Sequence, residues 1–251
     1  MYRLFINEVM VVNKVYQLRY ATHHYVANVL RMFLGDSIIV FNHNDGEWLG
    51  KIYLQDKKKT FIMIQRKLSQ QKKLISNLVL AFSLLKKQNN HFIMQKATEL
   101  NVLEIYPMLT DRTITRQINL LKCSTVVVGA CQQSGRLAIP VIHKLSTLRT
   151  LLSSNPNSNI LVCNNQGNEE HIVSVLNENT VQQRTIIVIG PEGGFSDNEL
   201  KYFSHNRITS VRLGPLILKS ETAAVSALSI CQAIYNLVVS NNEKKIRTLN
   251  K

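Results

Sequence analysis

The chain changes its hydrophobic rhythm near residue 70. Before that point, short strand-like runs, Arg3 to Ile6, Ser37 to Phe41, Trp48 to Leu54 and Thr60 to Arg66, are separated by turn signals such as Asn42-His43-Asn44-Asp45-Gly46. That spacing predicts a small β-barrel. Ser69 to Lys73 is polar and reads as a linker. From Leu78 onward apolar strands alternate with helical stretches: a strand over Leu78 to Ser83, a helix near Asn89 to Asn101, a strand over Glu104 to Pro107, a helix near Arg116 to Gly135, a strand over Ile160 to Val162 and a helix near Glu169 to Asn179. This alternation predicts a parallel α/β sheet. The fold class is therefore α/β, with residues 1–70 and 74–251 expected as separate domains.

Two further segments end in unusual loops. Thr185 to Ile189 is unbroken and β-branched, as in a strand buried on both faces. Ser196-Asp197-Asn198-Glu199 matches a capping box that starts a helix. Gly190-Pro191-Glu192-Gly193-Gly194 is thus a loop at the carboxyl end of a strand, where open α/β sheets bind ligands. It is neither a P-loop nor a dinucleotide fingerprint, and alone it reads equally as a tight turn with no ligand. In the second segment Leu213-Gly214-Pro215 repeats the strand-then-turn pattern and leads to Ser220, expected to cap an Ala-rich helix from about Glu221 to Val239. Two such loops predict a backbone-lined cradle for a nucleotide-like cofactor.

Charge adds a partner. The net charge is +14 and the pI near 9.8, which favours a polyanion. Residues 1–73 carry 12 Lys/Arg against 5 Asp/Glu, and Lys57-Lys58-Lys59, Arg66, Lys67, Lys72 and Lys73 cluster at their end. Phosphate binding by this module is expected, a solvated basic loop being the alternative. No apolar run near the ~20 residues of a membrane span is read, and Met1 to Met10 lacks a signal pattern, so a cytoplasmic location is expected. Cys123, Cys131, Cys163 and Cys231 show no C-x-x-C pairing, which predicts buried, inert thiols and no metal site.

The stretches GPEGGFSDNEL and LGPLILKSETAAVSAL resemble the signature of the bacterial 16S ribosomal RNA uridine-N3 methyltransferases, members of the SPOUT (trefoil-knot) superfamily. Gln95 to Leu100, Gln133-Ser134-Gly135-Arg136 with Pro140, and His24 to Gly35 extend the resemblance over essentially the whole chain. It implies an N-terminal PUA-like RNA-binding barrel and a SPOUT domain whose C-terminal segment threads a deep trefoil knot, a topology that chain connectivity disfavours in general. It also implies a homodimer acting on 16S rRNA or the small ribosomal subunit. The implied cofactor is S-adenosylmethionine (SAM), held by loops mapping to Leu161 to Gln166, Gly190 to Gly194 and Leu213 to Thr222. The residues assigned to it are Leu161, Val162, Cys163, Gly190, Pro191, Glu192, Gly193, Gly194, Leu213, Gly214, Leu218, Ser220, Thr222 and Ala223. RNA contacts are assigned to Arg3, Arg31, Lys57, Lys58, Lys59, Arg66 and Lys67.

Uracil N3 is a poor nucleophile while protonated, so the site must stabilise the uracil anion or take its proton. Arg136 and Arg112 are the candidates for the first task and Glu192 for the second, with surface or phosphate-contacting roles as the alternative for each arginine. Glu221 is as readily explained by a helix dipole, and Lys96 and Glu99, three apart on a predicted helix, are expected to pair with each other. The chain departs from the family pattern at Gly129 to Gln132, where acidic residues are common, at Leu216, where arginine is usual, and at Lys219, which replaces a frequent arginine. A ribose 2′-O-methyltransferase and a non-catalytic RNA-binding assembly factor are the remaining alternatives.

Overall fold

A computed structural model describes residues 1–69, 76–165, 169–176, 183–206 and 208–249. The expected linker beyond Ser69, with Lys72 and Lys73, and Gln166 of the first cofactor loop lie outside them. The chain divides into two compact units, Met1–Leu74 with Cys131–Ile139, and Ile75–Ala130 with Pro140–Lys251.

The first unit is a five-stranded sheet of β1 (Arg3–Phe5), β2 (Val15–Gln17), β3 (Ser37–Asn42), β4 (Gly46–Gln55) and β5 (Thr60–Ser69), in the order β1-β3-β4-β5-β2. β1 runs parallel to β3 and the other pairs are antiparallel. Helix α1 (Tyr20–His24) continues directly into a π-turn, Tyr25–Val29. Alternating residues Leu4, Ile38, Val40, Ile62 and Ile64 point into one core, joined by Tyr16 and Val26. β2 was not foreseen, because three residues are too few to display a period; Tyr16 anchors it, its hydroxyl bonding the Val9 carbonyl.

Arg3 is a correction to the sequence reading. Its guanidinium is spent inside this unit: Nη2 and Nε bond Glu47 at 2.6 and 3.0 Å, Nη1 bonds the Cys131 carbonyl at 2.9 Å, and the Phe41 ring lies 4.2 Å away. With only 10% of the side chain exposed, it is a strut of the sheet.

The second unit holds β6 (Leu78–Ser83), β7 (Glu104–Leu109), β8 (Val141–Ile142), β9 (Ser146–Thr147), β10 (Asn159–Cys163), β11 (Glu170–His171), β12 (Thr185–Ile189) and β13 (Thr209–Arg212). Their order is β11-β13-β10-β12-β6-β7-β8, with β9 also on β7, and every pairing is parallel. β6 and β12, buried at every position, coincide with the expected unbroken apolar strands. Helices α2 (Lys87–Glu99), α3 (Leu120–Ser134), α4 (Leu148–Ser153), α5 (Ile172–Val175), α6 (Asp197–His205) and α7 (Ser220–Leu249) complete the chain. The expected helix near Glu169 is one turn preceded by β11, and residues 177–182 lie outside the described set.

Two further corrections concern α7. The Lys219 carbonyl takes the first intrahelical bond, from Ala223 N at 2.8 Å, so Lys219 holds the cap position and Ser220 is a buried first-turn residue. Ser220–Ser240 has a mean hydropathy of 1.6, long and apolar enough for a membrane span, contrary to the sequence reading. Its packing partners here are α2, α5, β6 and β12.

Candidate functional site

Three loops leave the carboxyl ends of adjacent strands β10, β12 and β13, whose ends the register aligns: Cys163 pairs with Ile189 on one side and with Val211 on the other. Between them lies a cleft of about 260 Å³. Cys163, Asn164 and Asn165 line it from the first loop, Ile189 to Phe195 from the second, and Leu213, Leu216, Ile217, Leu218, Ser220 and Ala223 from the third. The Asn165 side chain donates to the Leu216 carbonyl at 3.2 Å, bridging the first and third loops.

The glycines have separate reasons. A Cβ on Gly190 would stand 3.0 Å from the Phe195 ring, which is buried edge-to-face on Phe203 with centroids 5.1 Å apart. Gly194 has φ 68°, a left-handed conformation that lets its amide close the turn onto the Pro191 carbonyl at 2.9 Å. Ser196 then caps α6 in a full capping box with Glu199.

That capping box reaches beyond its helix. While one Glu199 carboxylate oxygen accepts the Ser196 amide at 2.8 Å, the other accepts the Asp111 amide at 3.0 Å, and the Ser196 hydroxyl donates to the Asp111 carboxylate. The turn carrying Asp111 is itself closed by Thr110 N to Thr113 Oγ1 at 2.9 Å and by Thr113 N to Thr110 O at 3.1 Å. Arg112, at its tip, donates from Nη1 to the Gly193 carbonyl at 2.9 Å. The clamp therefore sets an exposed guanidinium beside the glycine loop.

The lining suits a nucleoside-bearing cofactor: apolar walls from Ile189, Leu213, Leu218 and Ala223 for a flat base, polar Asn164, Asn165 and Ser220, and bare backbone at Gly190, Gly193 and Gly194. Thiol chemistry does not fit. Burial raises the Cys163 thiol pKa, and pushes Cys231 up to about 12 and Cys131 to about 11. Among the described residues no group of three His, Cys, Asp or Glu could hold a metal ion.

Of the residues expected at the cofactor, Cys163, Gly190 to Gly194, Leu213, Leu218, Ser220 and Ala223 line the cleft, whereas Gly214 and Thr222 do not. Leu161 and Val162 are fully buried in β10 and pack in the sheet. Arg112 and Glu192 are exposed, Glu192 on the cleft wall. Arg136 is only 6% exposed and belongs to the first unit, and burial lowers its pKa to about 10. Arg31, Lys57, Lys58, Lys59, Arg66 and Lys67 are exposed on that unit, Arg31 with φ 52°. Lys96 and Glu99 pair as expected, at 2.8 Å. Asp111 was missed and Glu199 was seen only as a cap, because the clamp joins residues 88 positions apart.

Comparison with known proteins identifies the chain's relatives. The family described as RNA methyltransferase domain matches residues 71–232, and that described as RNA methyltransferase PUA domain matches residues 22–62. The ribosomal RNA small subunit methyltransferase E of Rickettsia conorii is 31% identical over 229 residues, covering 90% of this chain and 93% of the relative. That of Synechocystis is 27% identical, covering 93% and 78%. Among solved structures, Lpg2936 of Legionella pneumophila, with the cofactor SAM bound, superposes with a TM-score of 0.84 at 28% identity over 92% of this chain and 96% of its own. With domain-model matches and a relative of this closeness over nearly its full length, the chain belongs to the ribosomal RNA small subunit methyltransferase E family.

Proposed function

We propose that this protein transfers the methyl group of SAM to N3 of a uridine in small-subunit ribosomal RNA, acting as a cytoplasmic homodimer. The observation that carries the reading is the Arg112 bond to Gly193, which sets a cation on the rim of a three-loop cleft at the carboxyl ends of parallel strands. Family membership and the SAM-bound Legionella structure support the cofactor and the substrate. The knotted threading belongs to the same reading, supported by a strand order in which β13 pairs with β10 before α7 returns against β12 and β6.

When bound, SAM supplies a methyl group activated on a sulfonium. The chain does the rest. The cleft orients the cofactor through backbone at Gly190 to Gly194, and the target base must be unpaired and turned toward it. As the N3 proton leaves, negative charge spreads onto the uracil carbonyl oxygens. Arg112 has one nitrogen on Gly193, leaving the rest of the guanidinium to meet that charge. Glu192, exposed on the same loop, takes the proton. Among the described residues no Lys or Arg lines the cleft itself, and Arg112 reaches its rim through the bond to the Gly193 carbonyl.

The test is nucleoside mass analysis of small-subunit rRNA incubated with the protein and SAM. N3-methyluridine is the expected product. A methyl group on a ribose oxygen, or no transfer, overturns the proposal.

A further inference from the structure

A second cleft opens in the same unit, with a volume of about 710 Å³. It lies between the start of α2 and the segment that leads from the Arg112 turn into α3, and its polar lining includes Lys87, His91, Gln117, Asn119 and Lys122. None of its lining residues is acidic. Neither Lys87 nor Lys122 pairs with a carboxylate among the described residues. The segment that leads into it is equally one-sided: from Arg112 to Lys122 there is no Asp or Glu, while Arg112, Arg116 and Lys122 fall there.

We propose that this cleft binds the phosphodiester backbone of the RNA strand flanking the methylated base, with Lys87 and Lys122 as its phosphate contacts. The proposal rests on the reading of the protein as an RNA methyltransferase and names where the catalytic unit holds its substrate. Unpaired lysine ammoniums in an acid-free cleft are point charges suited to phosphate, and the amides of Gln117 and Asn119 offer donors to phosphate or ribose oxygens. Continuity with the reaction site is covalent. Arg112 and Lys122 are ten residues apart on one segment, so the two sites are within roughly 35 Å of each other even on a fully extended chain. One RNA strand can span both. Small anions share this chemistry, and the assay separates them from RNA.

The experiment measures fluorescence anisotropy of a labelled single-stranded RNA spanning the target uridine, from 0.05 to 0.3 M salt, with the full chain. In K87Q/K122Q the affinity should fall about tenfold at 0.15 M salt, and the slope of log affinity on log salt should shrink by roughly 1.4 for two phosphate contacts. SAM affinity should stay unchanged, and the loss in methyl transfer should appear in the apparent affinity for RNA. Unaltered affinity and slope overturn the proposal, and so does an equal loss in K144Q/K201Q, which removes the same charge outside the cleft. Inorganic phosphate that competes at low millimolar concentration, without a change in RNA slope in the variant, makes the cleft a small-anion site and also overturns it. Wild-type protein that binds RNA with this lysine dependence but transfers no methyl group to N3 sinks the enzymatic reading and leaves the cleft standing.

Discussion

Replacing Glu199 with glutamine tests the clamp that holds the Arg112 turn against the glycine loop. One carboxylate oxygen accepts the Asp111 amide at 3.0 Å and the other the Ser196 amide at 2.8 Å. Glutamine offers one acceptor and one donor, so one of these backbone amides then faces another donor. Hydrogen bonds to a charged acceptor contribute about 1.5–3 kcal/mol, and loss of a cap costs about 1 kcal/mol. Ser196 keeps its own bond to the Glu199 amide, which retains half of the capping box and places the net loss near 1.5–2 kcal/mol. For a chain of this size that is a fall in Tm of roughly 3–8 °C, measurable by calorimetry. The kinetic signature is separate. A loosened turn spreads the Arg112 guanidinium over more positions, so kcat at saturating RNA should drop about tenfold while the dissociation constant of SAM changes less than about threefold. Native Tm and turnover in E199Q would refute the clamp. Equal losses in turnover and SAM affinity would refute its action through Arg112.

Gly190→Ala pushes a methyl group to 3.0 Å from the buried Phe195 ring and should cost about 1–3 kcal/mol, with SAM affinity falling in isothermal titration. Gly194→Ala places a side chain at φ 68°, a strain of about 1–2 kcal/mol that should weaken SAM binding and leave the rest of the fold intact by circular dichroism. Glu104 is held at a pKa of about 2, against the usual 4.5, first by Arg184 and then by His143 and Tyr106. A carboxylate lowered in the folded state stabilises fully above the unfolded value, and that contribution disappears as pH falls from 4.5 toward about 2. Discounted for partial exposure it is roughly 1–2 kcal/mol, so E104Q should be less stable than wild type at pH 7 and converge with it in acid melts.

Strands were legible where burial leaves an unbroken apolar run, as in β6 and β12, and where short β-branched or alternating runs are bounded by turn signals, as in β3 to β5. β8 and β9 have two residues each, and only their partner β7 defines them. The capping box at Ser196 was readable because all its atoms come from four consecutive residues. Its second use, on Asp111, was invisible for the opposite reason. Arg3 and Arg112 are both single arginines whose sequence neighbours do not reveal their contacts, yet one is buried on Glu47 and Phe41 and the other exposed on Gly193. Only tertiary structure separates an arginine that holds a sheet together from one that faces a ligand. In α7 the misjudged apolar run came from its many Ala and Ser residues, which dilute the pattern without adding charge.

The parallel sheet of the second unit has a working edge and a holding edge. At its carboxyl edge are the three loops; near its amino edge Glu104, Arg184, Tyr106 and His143 form one bonded cluster, the Tyr106 and His143 rings stacked 3.7 Å apart. Changes at one edge are thus insulated from the other by the buried strands between them. Drift at exposed loop positions such as Leu216 and Ile217, away from the constrained Gly190, Gly194 and Glu199, can retune what is bound while the cluster and core keep the sheet assembled, so variants selected for altered substrates should accumulate there with little loss of thermal tolerance.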